Sequence, residues 1–539
     1  MKKHYQGNLK AIEASIEWIF KLYDPTIRAL RNSYGYASYG HNGPTLETLA
    51  SAYFCEDCMY FQDQRLLEIM NGILDYINTK HRPNYTIDMM ESNFFTPPLF
   101  EAIYMARAYR VIEKYAKRDV DLDFLRRYRE YLPKLGYSLI NGGVHTPNHR
   151  WIGAAAMLMV YDIVKMEKLK EKAFAFLNEG IDMDENGEYT ERSPHYNEVC
   201  DTSFMNIYLE TKDEQYLEYA KKNMDLMFMY IDPDFTAFTA NSNRQDRNDT
   251  DIYALTKFYY FYYTYMHMSY ITKNAQYAFM ADRIYQEAMK EYGRGLGLLS
   301  IYMLYPELKE YDPVLEPYPE SYHFFHKDIV RFRKDDFSVS ILQRSPSFLH
   351  IQKGALRCRV RICASFFAVA QFKPESIEEI GEKTYQMKMK AHGKYIDPMP
   401  TKPPTTVWKE MDHSLRPINN EVDLEYTVTV KIEDDRVKVR VKTEGCDNVP
   451  CKIEFCTMAP VDVRYNGMDL VGPVNGNLSV NADQIELKQD KDKLTLTNAF
   501  SKHTYHKNMR GSIPPCKDAF TVYYTDFTHI DKEFEIIGG

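Results

Sequence analysis

This sequence of 539 residues lacks several features from which a function can be assigned directly. No stretch approaches the roughly 18–20 apolar residues of a membrane-spanning helix, and Glu13 and Glu17 interrupt the N-terminal segment where a secretory signal needs an apolar run. A P-loop, a GxGxxG fingerprint before a helix and a GxSxG motif are also absent. We therefore expect a cytoplasmic protein that binds no membrane and carries none of these nucleotide-binding or serine-hydrolase signatures.

An excess of positive charge is missing as well. Lysine and arginine number 67 against 76 aspartate and glutamate residues, and the net charge of −9 argues against a nucleic-acid partner. The 9 cysteines are odd in number and irregularly spaced, which favours reduced thiols over a disulfide framework. Tryptophan occurs 3 times but tyrosine 44 times. Tyrosine suits both helix packing and sugar rings, and the loop with Tyr34, Tyr36 and His41 is either a sugar-stacking lid or an ordinary surface loop.

The hydrophobic pattern divides the chain into two parts. In the first part, apolar residues recur at helical spacing, as they do from Leu9 to Ile19. In the second part, they alternate with polar residues, as they do from Tyr426 to Ile432 before a turn at Asp434 and Asp435. Helices followed by strands form separately packed domains. The sequence therefore predicts an α+β protein with a helical domain over 1–315 and an antiparallel β domain over 316–539.

The first candidate functional segment lies just before a predicted helix and places Asn148, His149 and Arg150 in succession. Asn148 or Thr146 could simply cap that helix. Capping does not account for an amide, an imidazole and a guanidinium in consecutive positions. We therefore expect Asn148 and His149 to be functional.

Two further polar segments follow. Segment 185–198 leads into another predicted helix and supplies Tyr189, Glu191, Arg192, His195 and Tyr196. The alternative is that this segment has no function beyond being a loop whose carboxylates are favourable near a helix N-terminus. Segment 240–247 supplies Asn243 and Arg244, and for it a hydrated loop with internal ion pairs and a substrate-facing loop are equally compatible with the sequence.

The order of these segments resembles that of the heparinase II/III-like polysaccharide lyases and related alginate lyases. The matching features are the Asn148–His149 pair opening a helix, the Glu-x-Ser-Pro-x-Tyr segment ending at Tyr196, the polar loop and the β domain that follows. The resemblance implies an incomplete (α/α) toroid followed by an antiparallel β-sandwich. It also implies β-elimination at a uronic-acid residue of an acidic oligosaccharide or polysaccharide.

By position, the resemblance implies that Asn148 neutralises the uronate carboxylate, assisted by His149. Tyr196 would accept the C5 proton, protonate the leaving oxygen, or both. These residue types suit the reaction because amide and cationic groups stabilise the enolate-like charge that develops. A tyrosine base, whose pKa is normally about 10, needs positive neighbours. No metal or organic cofactor is required, and substrate contacts are expected from Arg150, Tyr189, Glu191, Arg192, His195, Asn243 and Arg244.

The β domain departs from the family pattern. Relatives commonly carry a His-x-His-x-Asp motif there, which supplies a catalytic histidine and sometimes zinc ligands. The corresponding stretch here, 357–363, contains no histidine. We expect His350 to substitute as the catalytic group, although a strand histidine is more often structural. Arg359 and Arg361 are expected to bind a substrate carboxylate. A solvated, arginine-rich strand face explains the sequence equally well.

Two rival functions stay open at this point. A glycoside hydrolase on the same scaffold would use a carboxylate pair, for example Glu191 with Glu198 or Asp246. A carbohydrate-binding protein without catalysis is the other. The sequence favours a lyase that attacks imported uronate oligosaccharides from one end. It does not specify the uronic acid, the linkage or the oligomeric state.

Overall fold

The computed structural model describes residues 2–32, 34–37, 39–87, 98–247, 256–326, 328–472 and 475–539. The chain forms two compact units, Met1–Phe228 with Lys257–Tyr318 and Met229–Thr256 with Pro319–Gly539. The first unit is helical and the second is built of strands. The predicted α+β architecture, with helices first and an antiparallel β region after them, is therefore confirmed.

The helical unit contains thirteen helices among its described residues. They are α1 (Lys2–Leu22), α2 (Asn42–Phe54), α3 (Gln64–Asn78), α4 (Leu99–Tyr115), α5 (Asp119–Asn141), α6 (Pro147–Val164), α7 (Glu167–Leu177), α8 (Pro194–Thr211), α9 (Glu214–Met227), α10 (Tyr262–Thr272), α11 (Ala275–Tyr292), α12 (Leu299–Leu304) and α13 (Glu307–Glu310). Two short strands, β1 (Tyr23–Asp24) and β2 (Ala29–Leu30), pair in the same unit.

The apolar stripes predicted from the sequence are the buried faces of these helices. Along α1, Leu9, Ile12, Ile16 and Ile19 are all buried, because a spacing of three or four residues keeps them on one side of the helix. The predicted helix from 253 to 268 begins later than expected. Its regular part starts at Tyr262, after a 3-10 turn, and Tyr253 lies outside the described residues.

The second unit carries most of the strands. They are β3 (Thr236–Ala237), β5 (Ser321–His326), β6 (Ile329–Lys334), β7 (Phe337–Leu342), β8 (Leu349–Lys353), β9 (Leu356–Ala364), β10 (Ser376–Gly381), β11 (Thr384–Ile396), β12 (Ile418–Ile432), β13 (Arg436–Gly445), β14 (Pro450–Met458), β15 (Asp462–Tyr465), β16 (Met468–Leu470), β17 (Asn477–Leu478), β18 (Ala482–Gln489), β19 (Asp492–Ala499), β20 (Ala519–Phe527) and β21 (Asp531–Gly538). Strand β4 (Thr256–Lys257) lies where the chain passes back into the helical unit.

Apart from β3 and β4, which pair with each other, these strands form two large sheets that share one apolar core. One sheet has the order β17-β20-β14-β9-β8-β7-β6-β5, and the other has the order β10-β11-β12-β13-β21-β19-β18-β15-β16. The predicted hairpin is β12–β13, in which Val428 faces Val441 and Val430 faces Val439. All four side chains are buried with residues of both sheets, as the alternation of apolar and polar positions requires.

Within the described residues, no helix combines the length and the apolar composition needed to cross a bilayer.

Candidate active site

The start of α6 holds Asn148 in a buried position in its first turn, directly after Pro147. Thr146 precedes the helix but does not cap it, because its hydroxyl donates to Oδ1 of Asn148 over 2.7 Å. The Nδ2 of Asn148 has no hydrogen-bond partner among the described residues. A buried N–H group without an acceptor costs about 1–3 kcal/mol. The capping explanation therefore fails for this segment, and the amide N–H is available to an acceptor other than the described residues.

The start of α8 is built by a tight loop. In it, Oδ1 of Asp184 accepts the backbone N–H groups of Asn186, at 2.9 Å, and Glu188, at 3.0 Å. Gly187 has a φ of +89°, and a Cβ there would lie 2.5 Å from the carbonyl oxygen of Lys222. Glycine is therefore required at the turn. The loop delivers the chain to the helix that begins with Pro194.

Tyr196 lies in the first turn of α8 and is half-buried. The hydroxyl of Ser193 caps the helix by accepting the backbone N–H of Tyr196 over 3.2 Å. The rings of His195 and Tyr196 meet edge to face, with centroids 5.3 Å apart. On its other side, His195 contacts Tyr260 with a centroid separation of 5.5 Å.

Glu191 connects the two candidate segments. Its side chain is buried, and Oε2 accepts the backbone N–H of Asn148 over 3.2 Å. Helices α6 and α8 also pack against each other. The helix starts that carry Asn148 and Tyr196 are thus tied together inside one unit. Both are N-terminal ends of helices, where the helix dipole favours an anion.

His149 follows Asn148 and is held by aromatic neighbours. Its ring centroid is 4.7 Å from that of His145 and 5.7 Å from that of Phe100, both in edge-to-face geometry. The ring is half-buried. Its orientation is therefore set by these two rings.

Two predicted substrate-binding residues make contacts inside the helical unit. Arg150 forms ion pairs with Glu179 and Asp182, each at 3.3 Å, and lies over the ring of Trp151. Tyr189 is buried, and its hydroxyl donates to Asp201 over 3.0 Å. Burial raises the pKa of both Tyr189 and Asp201 well above their usual ranges. A direct contact of Arg150 or Tyr189 with substrate stays a prediction.

The remaining predicted residues of this segment are Arg192 and His195. Arg192 is half-buried and adopts a left-handed φ of 49° just before the cap of α8. His195 is exposed. Both therefore lie at the same helix start as Tyr196.

The second unit contains the loop with Asn243 and Arg244. Ser242 organises this loop, because its hydroxyl donates to Asp246 and accepts the backbone N–H of Arg244 over 3.0 Å. Asn243 is exposed, and Arg244 is half-buried. The contacts of Ser242 agree with a loop held by its own polar groups.

His350 lies on β8, opposite Arg359 of β9. Its Nε2–H donates to the carbonyl of Ser347 over 3.0 Å, and its ring meets that of Phe238 edge to face. Burial, together with the charge of Arg359, holds the pKa of His350 well below its usual range. The imidazole is therefore neutral near pH 7.

The three alternating arginines of β9 do not form a solvated face. Arg357 binds Asp232 at 3.1 Å and Asp234 at 2.7 Å. Arg361 is fully buried and donates to the hydroxyl of Ser347 and the carbonyl of Pro514. Arg359 is also buried, and burial with the neighbouring arginines lowers its pKa to about 10. Arg357 and Arg359, together with His350, border a small cavity in the second unit.

Strand β9 does not fit a zinc site. Guanidinium groups occupy the alternating positions, and Arg331 and Arg357 already hold the carboxylate of Asp232. In the described part of the chain, no group of three or more His, Cys, Asp or Glu side chains is placed to hold a metal ion.

Sequence reasoning missed two buried ionic clusters. One joins Asp232 to Arg331 and Arg357 in the second unit. The other lies in the helical unit, where Glu47, Arg107 and Glu198 border one cavity. Burial raises the pKa of Glu198 to about 8. The only sequence signals were an Asp-Pro-Asp turn and charged residues inside apolar helices, which do not identify their partners.

No protein-family model matches the sequence, and no curated protein is similar enough to count as a relative. Solved structures do match. A Paenibacillus xanthan lyase aligns over 99% of this chain and 57% of its own, with a TM-score of 0.63 and 8% identity. The Streptomyces coelicolor A3 chondroitin AC lyase aligns over 99% and 79%, with a TM-score of 0.54 and 10% identity. A mutant of heparan sulfate lyase HepC from Pedobacter heparinus aligns over 92% and 76%, with a TM-score of 0.51 and 10% identity.

These similarities are at the level of the fold. They confirm the helical toroid followed by an antiparallel β-sandwich that the resemblance implied. The chain spans little more than half the length of the xanthan lyase.

Proposed function

We propose that this chain, which has the fold of polysaccharide lyases, cleaves a uronic-acid-containing glycan by β-elimination. The observation that carries the proposal is Asn148, a buried amide whose Nδ2 has no acceptor in the described residues. It lies at a helix N-terminus and is followed in the sequence by His149. An acceptor with negative charge suits this position on both counts.

A uronate carboxylate is the acceptor that would make the site reactive. The C5 proton of a uronate is weakly acidic while the carboxylate keeps its full charge. Donors from Asn148 and from His149 would stabilise the charge that builds up on the carboxylate as that proton leaves. Glu191 contributes by fixing the backbone at Asn148, and not by contacting the reacting atoms.

Tyr196 is the residue we propose for proton transfer. In its ionised form, its oxygen would take the proton from C5, and the electrons of the C5–H bond would pass first to the uronate carboxylate. They would form the C4=C5 double bond as the C4–O bond breaks, and the leaving oxygen would take a proton from Tyr196 or from solvent. The products are a chain with a new hydroxyl and an unsaturated uronate at the new non-reducing end. A positioned acid or base of this kind contributes about 10²–10⁴-fold to the rate.

A glycoside hydrolase is the second candidate, because burial raises the pKa of Glu198 to about 8 and Glu198 shares a cavity with a second carboxylate, that of Glu47. The arrangement is incomplete as an acid–base pair. Both oxygens of Glu47 accept from Arg107, over 2.8 and 3.3 Å, and Ser300 also donates to Glu47. A carboxylate engaged in this way is a poor base for activating water. Elimination is therefore the better-supported function.

The mode of attack belongs to the same proposal. We propose that the enzyme removes units from one end of an oligosaccharide. An exo-acting enzyme releases its smallest product from the first turnovers, whereas an endo-acting enzyme first produces a ladder of sizes. Chromatography of early time points separates the two modes.

The deciding experiment mixes the protein with alginate, unsulfated chondroitin and polygalacturonate and records ultraviolet absorbance and new reducing ends. Elimination raises both signals because the C4=C5 bond is conjugated with the carboxylate, whereas hydrolysis raises only the reducing ends. Tyr196→Phe should lower kcat about 10²–10⁴-fold. Tyr137→Phe is the matched control, since Tyr137 is an exposed tyrosine on another helix of the same unit. Reducing ends without absorbance would contradict elimination.

A further inference from the structure

The helical unit has an open groove whose lining residues are distant in the sequence from Asn148 and Tyr196. These residues include an aromatic ring and cationic groups, which suit an acidic sugar. The distal groove is bordered by Trp18 and Leu22 of α1, Arg31 and His41 of the loop before α2, and Arg294 of the loop after α11. Trp18 is 61% exposed, which is unusual for the largest apolar side chain. A ring that stays exposed beside a groove offers a flat surface to a ligand.

The charge of the distal groove is the opposite of the protein's average. The chain carries a net charge of −9, yet no aspartate or glutamate borders the groove among its described residues, whereas two arginines and a histidine do. Arg31 is already paired with Asp24 at 2.7 Å. Arg294 forms no ion pair with a carboxylate in the described part of the chain. It is therefore the cation best able to bind an external anion.

The loop that carries Arg294 is fixed before any ligand arrives. The backbone N–H of Gly295 donates to the carbonyl of Gly7 over 2.9 Å. The side-chain oxygen of Asn8 accepts the N–H groups of Leu296 and Leu298, each over 3.1 Å. Both partners belong to α1, the helix that also carries Trp18. The backbone of the loop that carries Arg294 is thus attached to the helix that carries Trp18, and a backbone fixed in advance lowers the entropy cost of binding.

The distal groove leads toward the candidate active site within the same unit. It shares Pro44 and Thr48 with the cavity that contains Glu198 and Tyr260. Tyr260 in turn contacts His195, the neighbour of Tyr196. A chain of sugars that reaches Tyr196 can therefore follow this line of side chains to Trp18.

We propose that the distal groove binds an acidic sugar unit of the substrate at a distance from the bond that is cleaved, with the pyranose ring stacked on Trp18 and its carboxylate paired with Arg294. The proposal rests on the proposed function, because it assigns the groove to the same substrate. An aromatic face suits the C–H groups of a sugar ring, and a guanidinium suits a carboxylate through two parallel hydrogen bonds.

The scarcity of tryptophan makes the proposal directly measurable. Of the 3 tryptophans, Trp151 is buried and Trp408 is exposed in the second unit. In a Trp408→Phe, Tyr196→Phe protein, Trp18 is the only exposed tryptophan and turnover is suppressed. We would titrate this protein with alginate, unsulfated chondroitin and oligogalacturonate hexasaccharides, using neutral cellohexaose as the control, and record tryptophan emission.

We expect an acidic hexasaccharide to change the Trp18 emission and cellohexaose to leave it unchanged. Arg294→Ala should weaken that binding about 5-fold, in line with the loss of one ion pair at an exposed arginine. Arg126→Ala, at an exposed arginine elsewhere in the unit, should change it less than twofold. Circular dichroism and thermal melting of each variant confirm that the fold is kept.

The outcomes separate this inference from the proposed function. Turnover of a hexasaccharide by the unmodified protein without any response of Trp18 would overturn the distal groove and leave the lyase standing. A response of Trp18 that depends on Arg294, without turnover, would support the groove and overturn the lyase. A response that Arg294→Ala does not weaken would contradict the assigned carboxylate contact.

Discussion

Replacing Asn148 by aspartate tests the proposed carboxylate site with almost no change in shape. The side chain keeps an oxygen for the hydroxyl of Thr146, which donates over 2.7 Å, and the backbone N–H stays available to Glu191. A negative charge in the first turn of a helix is also favourable for the helix itself. The burial of Asn148 and the nearness of Glu191 oppose this gain. We expect Asn148→Asp to fold, with a lower melting temperature.

The effect on catalysis should be much larger than the effect on folding. The variant loses an N–H donor to the substrate carboxylate, worth about 1.5–3 kcal/mol for a charged partner. It also sets two like charges about 4 Å apart, which costs about 4 kcal/mol at an effective dielectric constant of about 20. Together these give about 5–7 kcal/mol, or a loss of about 10⁴–10⁵-fold in kcat/KM. Asn148→Ala loses only the donor and should fall about 10–150-fold.

Initial rates of ultraviolet absorbance, measured for both variants on the best acidic substrate, give these ratios. Protonation removes the repulsion, so the deficit of Asn148→Asp relative to the unmodified protein should shrink as the pH is lowered. Equal activity of the aspartate and alanine variants would refute the reasoning, because it would show that no substrate charge lies near this side chain. Activity of Asn148→Asp close to that of the unmodified protein would refute it as well.

Three further predictions concern stability and the loop that precedes Tyr196. Asp232→Ala should lower the free energy of unfolding by about 3–5 kcal/mol in urea melts, because it leaves the buried guanidinium of Arg331 without its carboxylate and removes one of the two carboxylates that bind Arg357. The unmodified protein should lose stability relative to Glu198→Gln as the pH rises from about 5 to 8. The folded-state pKa of Glu198, about 8, lies above the unfolded value, so in this range Glu198 ionises in the unfolded chain while it stays protonated in the folded protein. If melting curves show the same difference at pH 5 and pH 8, that explanation is wrong. Gly187→Ala should cost about 1–3 kcal/mol and reduce activity, since its φ of +89° and the carbonyl of Lys222 leave no room for a Cβ; an unchanged melting temperature would contradict this.

The periodic elements were predictable from the sequence because their causes are local. The alternation from Tyr426 to Ile432 and again from Val437 to Val441 specifies a hairpin with one buried face, and β12 pairs with β13 in that register. The starts of α6 and α8 were predictable for a similar reason. A proline at the first helical position follows a polar residue in both.

The buried charges were not predictable, because their partners are distant in sequence. Arg357 pairs with Asp232 and Asp234, which lie more than a hundred residues earlier in the chain. An alternation of arginines looks the same in sequence whether the strand face is solvated or packed. The raised pKa of Glu198 likewise depends on burial by several helices, and no residue near it in the sequence reveals that burial.

The departure in the β region bears on how the proton is handled. A catalytic histidine there would need a ring that can be protonated, but His350 is neutral near pH 7 and its Nε2–H is already donated to Ser347. It is therefore poorly suited to supply a proton to the leaving oxygen. Tyr196 lies in the first turn of α8 and is half-buried, whereas burial inside its unit lowers the pKa of His350. The elimination proposal therefore needs only one proton-transfer residue, Tyr196, which takes the C5 proton and returns a proton to the leaving oxygen. This predicts that His350→Gln keeps far more activity than Tyr196→Phe.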